Sequence, residues 1–417
     1  MAGAQPTLTI HAGRLLDGTG SPAALDRVVR VEGARIASVG AAGEQAPPGE
    51  ERLSFPDATL LPGLIDCHTH TNMPGDGRRG EDVHAGDDDA IRLLRAAQNV
   101  ERALETGVTT VCDCGGWHGT TFRLKEAINQ GIVRGPRLLA SGRPITVTGG
   151  HCWFMGSEAD GVDGVRGAAR LLLKEGADFL KVMATGGSTL GTDPFRPAFT
   201  APELAAIVEE GHRRARPVAA HCRSNVAMEM VVEAGFDVIM HGWFADEQGA
   251  RVFDARLADA IAERGVRVNP TLQITRSRIP ILQARVDDGT ATDEEAALLE
   301  RMRTGHAASM EQAGRLIERG VRLMAGSDCG WGVYPFGRFD LELAAMVEAG
   351  LTPAQAVAAA TGGNAEALGI ADAVGTIAPG KEADLLVVEG RPDERIADVA
   401  RVLAVVKGGR VVVNNAA

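Results

Sequence analysis

Eight short apolar runs alternate with amphipathic stretches, many of which close on glycine, and this alternation constrains the fold more than any other feature. The runs are Leu60–Asp66, Thr109–Asp113, Arg137–Ser141, Asp178–Ala184, Val218–His221, Asp237–His241, Val266–Pro270 and Arg322–Ser327. Between them, Ala90–Glu105, Val165–Glu175, Ala201–Arg214 and Val226–Ala234 carry apolar residues at helical spacing. Gly107, Gly131, Gly176, Gly235, Gly265 and Gly320 follow helix candidates, where a residue tolerant of positive φ ends a helix. Repeated strand–helix units make a parallel sheet, and eight of them predict an α/β fold closed as a (β/α)8 TIM barrel over residues 62–374. No Gly-x-Gly-x-x-Gly follows the first run, which counts against an open dinucleotide-binding sheet.

The two ends of the chain read differently. Leu8–Ala12, Arg27–Val31 and Arg35–Val39 at one end, and Asp384–Val388, Val402–Lys407 and Gly409–Val413 at the other, read as strands. Neither set is enough for an independent domain. Residues 1–61 and 375–417 are therefore expected to form one small β-sandwich together, beside the barrel.

Charge narrows the partners. A net charge of −12 offers no basic patch for nucleic acid or an anionic membrane. No apolar run approaches the ~20 residues of a membrane span, and Met1–Thr9 lacks the pattern of a secretory leader. Six cysteines without a disulfide-framework spacing read as reduced thiols, so a cytoplasmic protein acting on a small molecule is expected.

Barrel chemistry sits at the C-terminal ends of strands. There this sequence places His68 and His70 after the first run, Lys181 on the fourth, His221 on the fifth, His241 on the sixth and Asp328 after the eighth. Imidazole and carboxylate are the ligands of catalytic zinc sites. Singly each residue has a plainer reading: a hydrogen-bonded structural histidine, a snorkelling lysine, a capping aspartate. The ordered set is what points to a metal centre.

That set resembles the amidohydrolase superfamily along nearly the whole chain. Leu61-Pro62-Gly63-Leu64-Ile65-Asp66-Cys67-His68-Thr69-His70 is similar to its opening motif, and Gly375–Asp384 to its return into the small β-domain. Thr148-Gly149-Gly150-His151 and Phe179–Gly187 resemble the branch of imidazolonepropionase-related metal-dependent dipeptidases, the prolidase and arginine carboxypeptidase group. The resemblance implies two divalent metal ions, zinc first among them. His68, His70 and Asp328 would bind one and His221 and His241 the other, with a carbamate on Lys181 and a hydroxide as bridges. Asp328 would act as general base and then acid, and His151 would help polarise the substrate carbonyl. The implied reaction is hydrolysis of a C–N bond (amide, peptide-like or carbamate) in a small molecule such as an N-acyl amino acid or dipeptide.

Other residues shape the expected pocket. Arg143, Arg223 and Arg338 follow strand ends and could hold a substrate carboxylate, or pair with a local acid. Branch members carry Ala-Tyr after the fifth-strand histidine, whereas this chain has Cys222-Arg223-Ser224. Either Arg223 takes over that recognition or the substrate has no such carboxylate, and Arg338 is a second substrate-binding candidate. Thr71–Asp89 and Thr185–Pro197 read as lid candidates, and Gln273–Thr292 as lid, helix or subunit contact. Cys67, Cys152, Cys222 and Cys329 adjoin site residues, and strand alternation predicts that their thiols pack away from the metals.

The competing readings are a mononuclear-metal deaminase, a lactone or ester hydrolase with the same ligands, and a non-catalytic barrel. Lys181 and the lack of glutamate in Cys222–Met228 count against the first, and the intact ligand positions against the last. A homo-oligomer joined through helical faces is expected.

Overall fold

The computed structural model describes residues 7–42 and 51–416. Met1–Pro6, part of the segment read for a leader, lie outside the described residues. The chain ends build one mixed seven-stranded sheet in the order Arg410–Asn414, Val402–Lys407, Leu385–Glu389, Glu51–Pro62, Thr7–Leu15, Ala24–Glu32, Arg35–Ala41. Thr7–Leu15 runs parallel to Glu51–Pro62, and the other neighbours are antiparallel. Where two layers of a sandwich were expected, hydrogen bonds thus link all seven strands into one sheet. Its apolar face encloses a core of its own, with Ile10, Val29, Ile36, Leu60, Leu385, Val387 and Val406 all buried.

Glu51–Pro62 is longer than the Leu60–Asp66 run suggested, and it feeds through Gly63 into the strand Leu64–Thr69. A β-carbon at Gly63 would lie 2.1 Å from Thr109 Oγ1, so only glycine lets the two strands approach there.

The central region forms two parallel sheets. One has the order Arg267–Asn269, Val238–Ala245, Val218–Ser224, Leu180–Met183, and the other Leu64–Thr69, Val108–Asp113, Arg137–Ala140. Seven of the eight expected runs are therefore strands. Arg322–Ser327 is not, but single parallel bridges flank it on both sides: its Leu323 pairs with Val268, and Cys329, two residues past its end, with Thr69. The Cys67 amide also donates to the Ala325 carbonyl at 3.1 Å. Between the two sheets, Ile145 bridges Val182, donating to Lys181 O at 2.8 Å and accepting from the Met183 amide at 2.9 Å.

The helices follow the amphipathic stretches closely: Asp89–Glu105, Gly161–Glu175, Ala201–Arg213 and Asn225–Ala234. Gly176 and Gly235 end two of them at φ 107° and 87°. Outward strand residues such as Leu180, Val182, Val218 and Ile239 pack against these helices in one large aliphatic core. The ambiguous stretch after Gln273 is helical: Leu272–Arg276, Ile279–Asp287 and the 26-residue Asp293–Glu318. Thr292 and Glu295 form a capping box that starts the last of these. Among the described residues no helix is long and apolar enough to cross a membrane.

Candidate metal centre and its cavity

The C-terminal ends of the parallel strands open on a cavity of about 510 Å³. His68, His70, His151, Lys181, His221, Arg223, His241 and Asp328 all line it, brought together from positions up to 260 residues apart. Arg338 does not reach it. Its guanidinium is paired with Asp340 at 3.1 Å on the surface, two residues along the chain, so the substrate-binding expectation is corrected there. Arg143 takes the plainer reading, paired with Glu175 at 2.6 Å and donating to the His118 carbonyl.

Second partners set the face each imidazole presents. His68 Nδ1 lies 2.9 Å from Asn269 Oδ1. The Asn269 amide nitrogen donates to the Met324 and Gly326 carbonyls, which fixes its oxygen toward His68. His70 Nδ1 donates to the Gly115 carbonyl at 3.0 Å. Both rings therefore carry their proton on Nδ1 and present the lone pair of Nε2. Each Nε2 faces the same Asp328 oxygen at 3.4 Å, and that oxygen is buried without a hydrogen-bond donor. Three electron-rich atoms facing one another, with no hydrogen-bond donor on the shared oxygen, suit a cation.

His221 is turned the other way: its Nε2 donates to the Gly186 carbonyl at 3.0 Å and Nδ1 is left toward the site. His241 Nδ1 pairs with the Thr271 hydroxyl at 2.9 Å. The His221 and His241 rings are 4.5 Å apart between centroids, and His68 and His241 5.4 Å. Ligand atoms of His68, His241 and Asp328 all lie within 4.8 Å of one another. Burial holds His68, His151, His221 and His241 far below the usual histidine range and His70 at about 3, so all five rings are neutral at pH 7.

Lys181 is buried, and its amine lies 2.6 Å from the Met240 thioether, its one hydrogen-bond partner among the described residues. Desolvation lowers its pKa and raises that of Asp328 to about 7. Below them, the buried Asp66 carboxylate accepts from the Ser327 hydroxyl and amide and from the His68 amide, clamping the eighth run to the first strand.

Backbone strain gathers at this end. His241, Asp328, Cys152 and Thr271 take φ of 71°, 57°, 59° and 48°, values that disfavour any side chain but persist where surrounding contacts over-determine them. His151 pairs with Thr189 Oγ1 at 2.8 Å, and a β-carbon at Gly187 would sit 2.4 Å from its Nε2. The loop glycine thus makes room for the ring.

The thiols divide. Cys222 and Cys329 pack in the outer aliphatic core, as strand alternation predicts. Cys67 instead lies in an inner cluster with Cys112, Cys114 and Met240, and Cys152 lines the cavity with its sulfur 3.7 Å from His151. A register shift between Asp66 and Thr69 breaks the alternation for Cys67, and the positive φ breaks it for Cys152.

Several cavity residues were not foreseen. Arg223 stacks 4.1 Å from the Trp243 ring centroid, and Arg251 4.3 Å from the same ring. Trp331, Ile274 and Met302 add apolar wall. Asn269, at the end of the seventh run, had a readable signal: a polar residue at a barrel strand terminus. Trp243, Arg251 and Met302 had none, since they come from a strand extension, a loop and a helix.

Comparisons with known proteins agree with this geometry. Residues 59–412 match the amidohydrolase family. The chain is 31% identical to ochratoxinase of Aspergillus niger, covering 96% of this chain and 86% of that protein. It is 28% identical to imidazolonepropionase of Micrococcus luteus, covering 87% and 88% respectively. The solved structure of a Xaa-Pro dipeptidase with methionine in its active site superposes with a TM-score of 0.85 at 27% identity, covering 97% of this chain and 99% of that one.

Proposed function

The chain belongs to the amidohydrolase family and is a hydrolase of carbon–nitrogen bonds, and from that premise we propose that it uses two divalent metals, zinc first among them, to cleave an amide, peptide-like or carbamate bond of a small N-acyl amino acid or dipeptide. The observation that carries this reading is the gathering of four neutral imidazoles, Lys181 and Asp328, all buried, in the wall of one cavity. His68, His70 and Asp328 would hold one ion, His221 and His241 the other, and Lys181, carbamylated by carbon dioxide, would join them. The same reading closes the seven parallel strands and the Arg322–Ser327 run into a (β/α)8 barrel, through the single bridges at Ile145, Leu323 and Cys329. It takes residues 62–374 as that barrel, and residues 1–61 with 375–417 as a sandwich in which the one sheet curls over its own core.

The metals, when bound, supply Lewis acidity toward a carbonyl and acidify water. The rest is the work of this chain. Asp328 takes the proton of the attacking water and returns it to the leaving nitrogen, a role suited to a buried carboxyl whose proton affinity burial has raised. His151, neutral and fixed by Thr189, donates from Nε2 toward the oxygen of the carbonyl as charge develops there. Arg223, free of any carboxylate partner among the described residues and braced on Trp243, receives the substrate carboxylate. The relatives support the bond type: one bears the name ochratoxinase, and another is a Xaa-Pro dipeptidase.

A one-metal reading keeps one observation in its favour, the compact trio His68, His241 and Asp328. A single-metal deaminase would use it, whereas a lactone or ester hydrolase would share all the proposed ligands. Elemental analysis of the purified protein, with assays on N-acyl amino acids and dipeptides, decides between them. About two metals per chain with amide cleavage supports the proposal, and one metal with deamination or ester cleavage alone overturns it. Assembly as a homo-oligomer belongs to the same reading, and a monomer mass by light scattering would end that part.

A further inference from the structure

Two arginines share one indole in the outer cavity, and among the described residues neither forms an ion pair with a carboxylate. Arg251 is held by neutral acceptors only: the Trp243 carbonyl and the Gln312 amide oxygen at 2.8 Å each, and the Ser309 hydroxyl at 3.2 Å. Burial and the nearby Arg223 push its pKa down to about 10, the mark of a cation short of counter-charge. Arg278 and Arg301 line the same cavity from the helical stretch that follows the seventh strand. Among the described residues, no carboxylate pairs with Arg223, Arg251, Arg278 or Arg301.

Their neighbours on the same elements behave otherwise. Arg276, Arg285 and Arg303 pair with Glu348, Glu295 and Glu300 at 2.5, 2.6 and 2.7 Å. Acidic residues are thus at hand on these helices, and the cavity side is where they are missing. Asp328 is the one carboxylate among the described residues that lines the cavity. In a chain of net charge −12, four guanidinium groups without a carboxylate ion pair, Arg278 and Arg301 among them exposed, surround a partly apolar cleft and focus an anion-attracting field. One substrate carboxylate on Arg223 leaves most of that charge unmatched.

We propose that Arg251, Arg278 and Arg301 form a second anion subsite, so that the preferred substrate is dianionic: an N-acyl amino acid with one carboxylate for Arg223 and a second acidic group on its acyl part or side chain. This rests on the C–N hydrolase reading and adds the substrate class to it. Ile274, Met302 and Trp331 lie along the same cavity and suit a hydrocarbon spacer between the two charges.

Matched pairs test it on the zinc-loaded enzyme: N-succinyl- against N-butyryl-L-phenylalanine for an acyl-side acid, and N-acetyl-L-glutamate against N-acetyl-L-glutamine for a side-chain acid. One acidic member is expected to exceed its neutral partner by about tenfold or more in kcat/KM, chiefly through KM. That preference should shrink as sodium chloride is raised and fall toward unity in the Arg278→Gln/Arg301→Gln double variant. Equal rates within both pairs, or a preference that survives the double variant, overturn the subsite and leave the hydrolase reading standing. Should no compound turn over, calorimetric titration with N-succinyl-L-phenylalanine decides. Binding weakened about tenfold or more in the double variant supports the subsite while the N-acyl reading falls, and absent or unchanged binding overturns the subsite as well.

Discussion

Lys181 Nζ stands 2.6 Å from the thioether sulfur of Met240, and both side chains are buried. A thioether is a weak acceptor, so the amine is solvated by almost nothing. Desolvation favours its neutral form, which is the form that attacks carbon dioxide. Lys181→Ala is expected to lose at least one metal per chain and about 100-fold or more in activity, read by elemental analysis and steady-state assay. A labelled-bicarbonate NMR signal present in wild type and missing in the variant would mark the carbamate. Full metal content and activity in Lys181→Ala would end the bridging role.

Metal affinity should rise with pH through the neutral range. The four imidazoles proposed as ligands are already neutral at pH 6, so they release no protons on binding. Asp328, pushed up to about 7 by burial, is protonated below that value and must lose its proton to act as a ligand. Zinc titration of chelator-treated protein should therefore show weaker binding at pH 6 than at pH 8. Asp328→Asn should weaken binding and flatten that slope. A slope that persists in the variant would place the titrating group elsewhere.

Arg223 offers a cleaner split between binding and chemistry. Arg223→Gln removes the charged fork without touching a proposed metal ligand. KM for a carboxylated substrate should rise about 10- to 100-fold, with kcat changed much less. A fall in kcat at constant KM would show that Arg223 serves the reaction rather than the ground-state complex.

Asn364 ties the eighth run to the first strand. Its Nδ2 donates to the Ile65 and Ala325 carbonyls at 2.7 Å each, and its Oδ1 accepts from the Ala325 amide at 3.2 Å. Asn364→Ala takes the side-chain partner from the Ile65 carbonyl and the Ala325 amide, at about 1–3 kcal/mol apiece, while the Ala325 carbonyl keeps the Cys67 amide. Urea denaturation should show a loss of about 2 kcal/mol or more. A loss under about 0.5 kcal/mol would mean that this tie contributes little to stability.

Much of this was legible because barrel strands advertise themselves twice, by a short apolar run and by the glycine that ends the preceding helix. Seven of the eight proposed residues that line the cavity, all but His151, stand at or just after strand ends, and His151 was read from its glycine-rich loop. Arg338 failed because a run's end does not say whether an acid such as Asp340 waits two residues on. Cys67 failed because alternation is a parity argument, and one register shift reverses parity. The strand Glu51–Pro62 was read only at its apolar end, since its first half alternates with charge and carries Pro56. The outer wall was invisible for a different reason: Trp243, Arg251 and Arg301 come from three elements whose meeting depends on tertiary packing.

The seven-stranded sheet also bears on synthesis. Thr59 Oγ1 donates to the Gly390 carbonyl at 2.6 Å, across 331 residues, and Leu385–Glu389 fills the edge of Glu51–Pro62. At ~5–20 residues per second, that edge is made roughly 15–65 s before its partner leaves the ribosome. Until then a row of backbone donors and acceptors stands open beside Leu60 and Leu61, the kind of surface other nascent strands adhere to. The order of strands therefore makes the first-made part of the protein the last to be sheltered. Its yield in a cell should depend on chaperones that bind early and let go late.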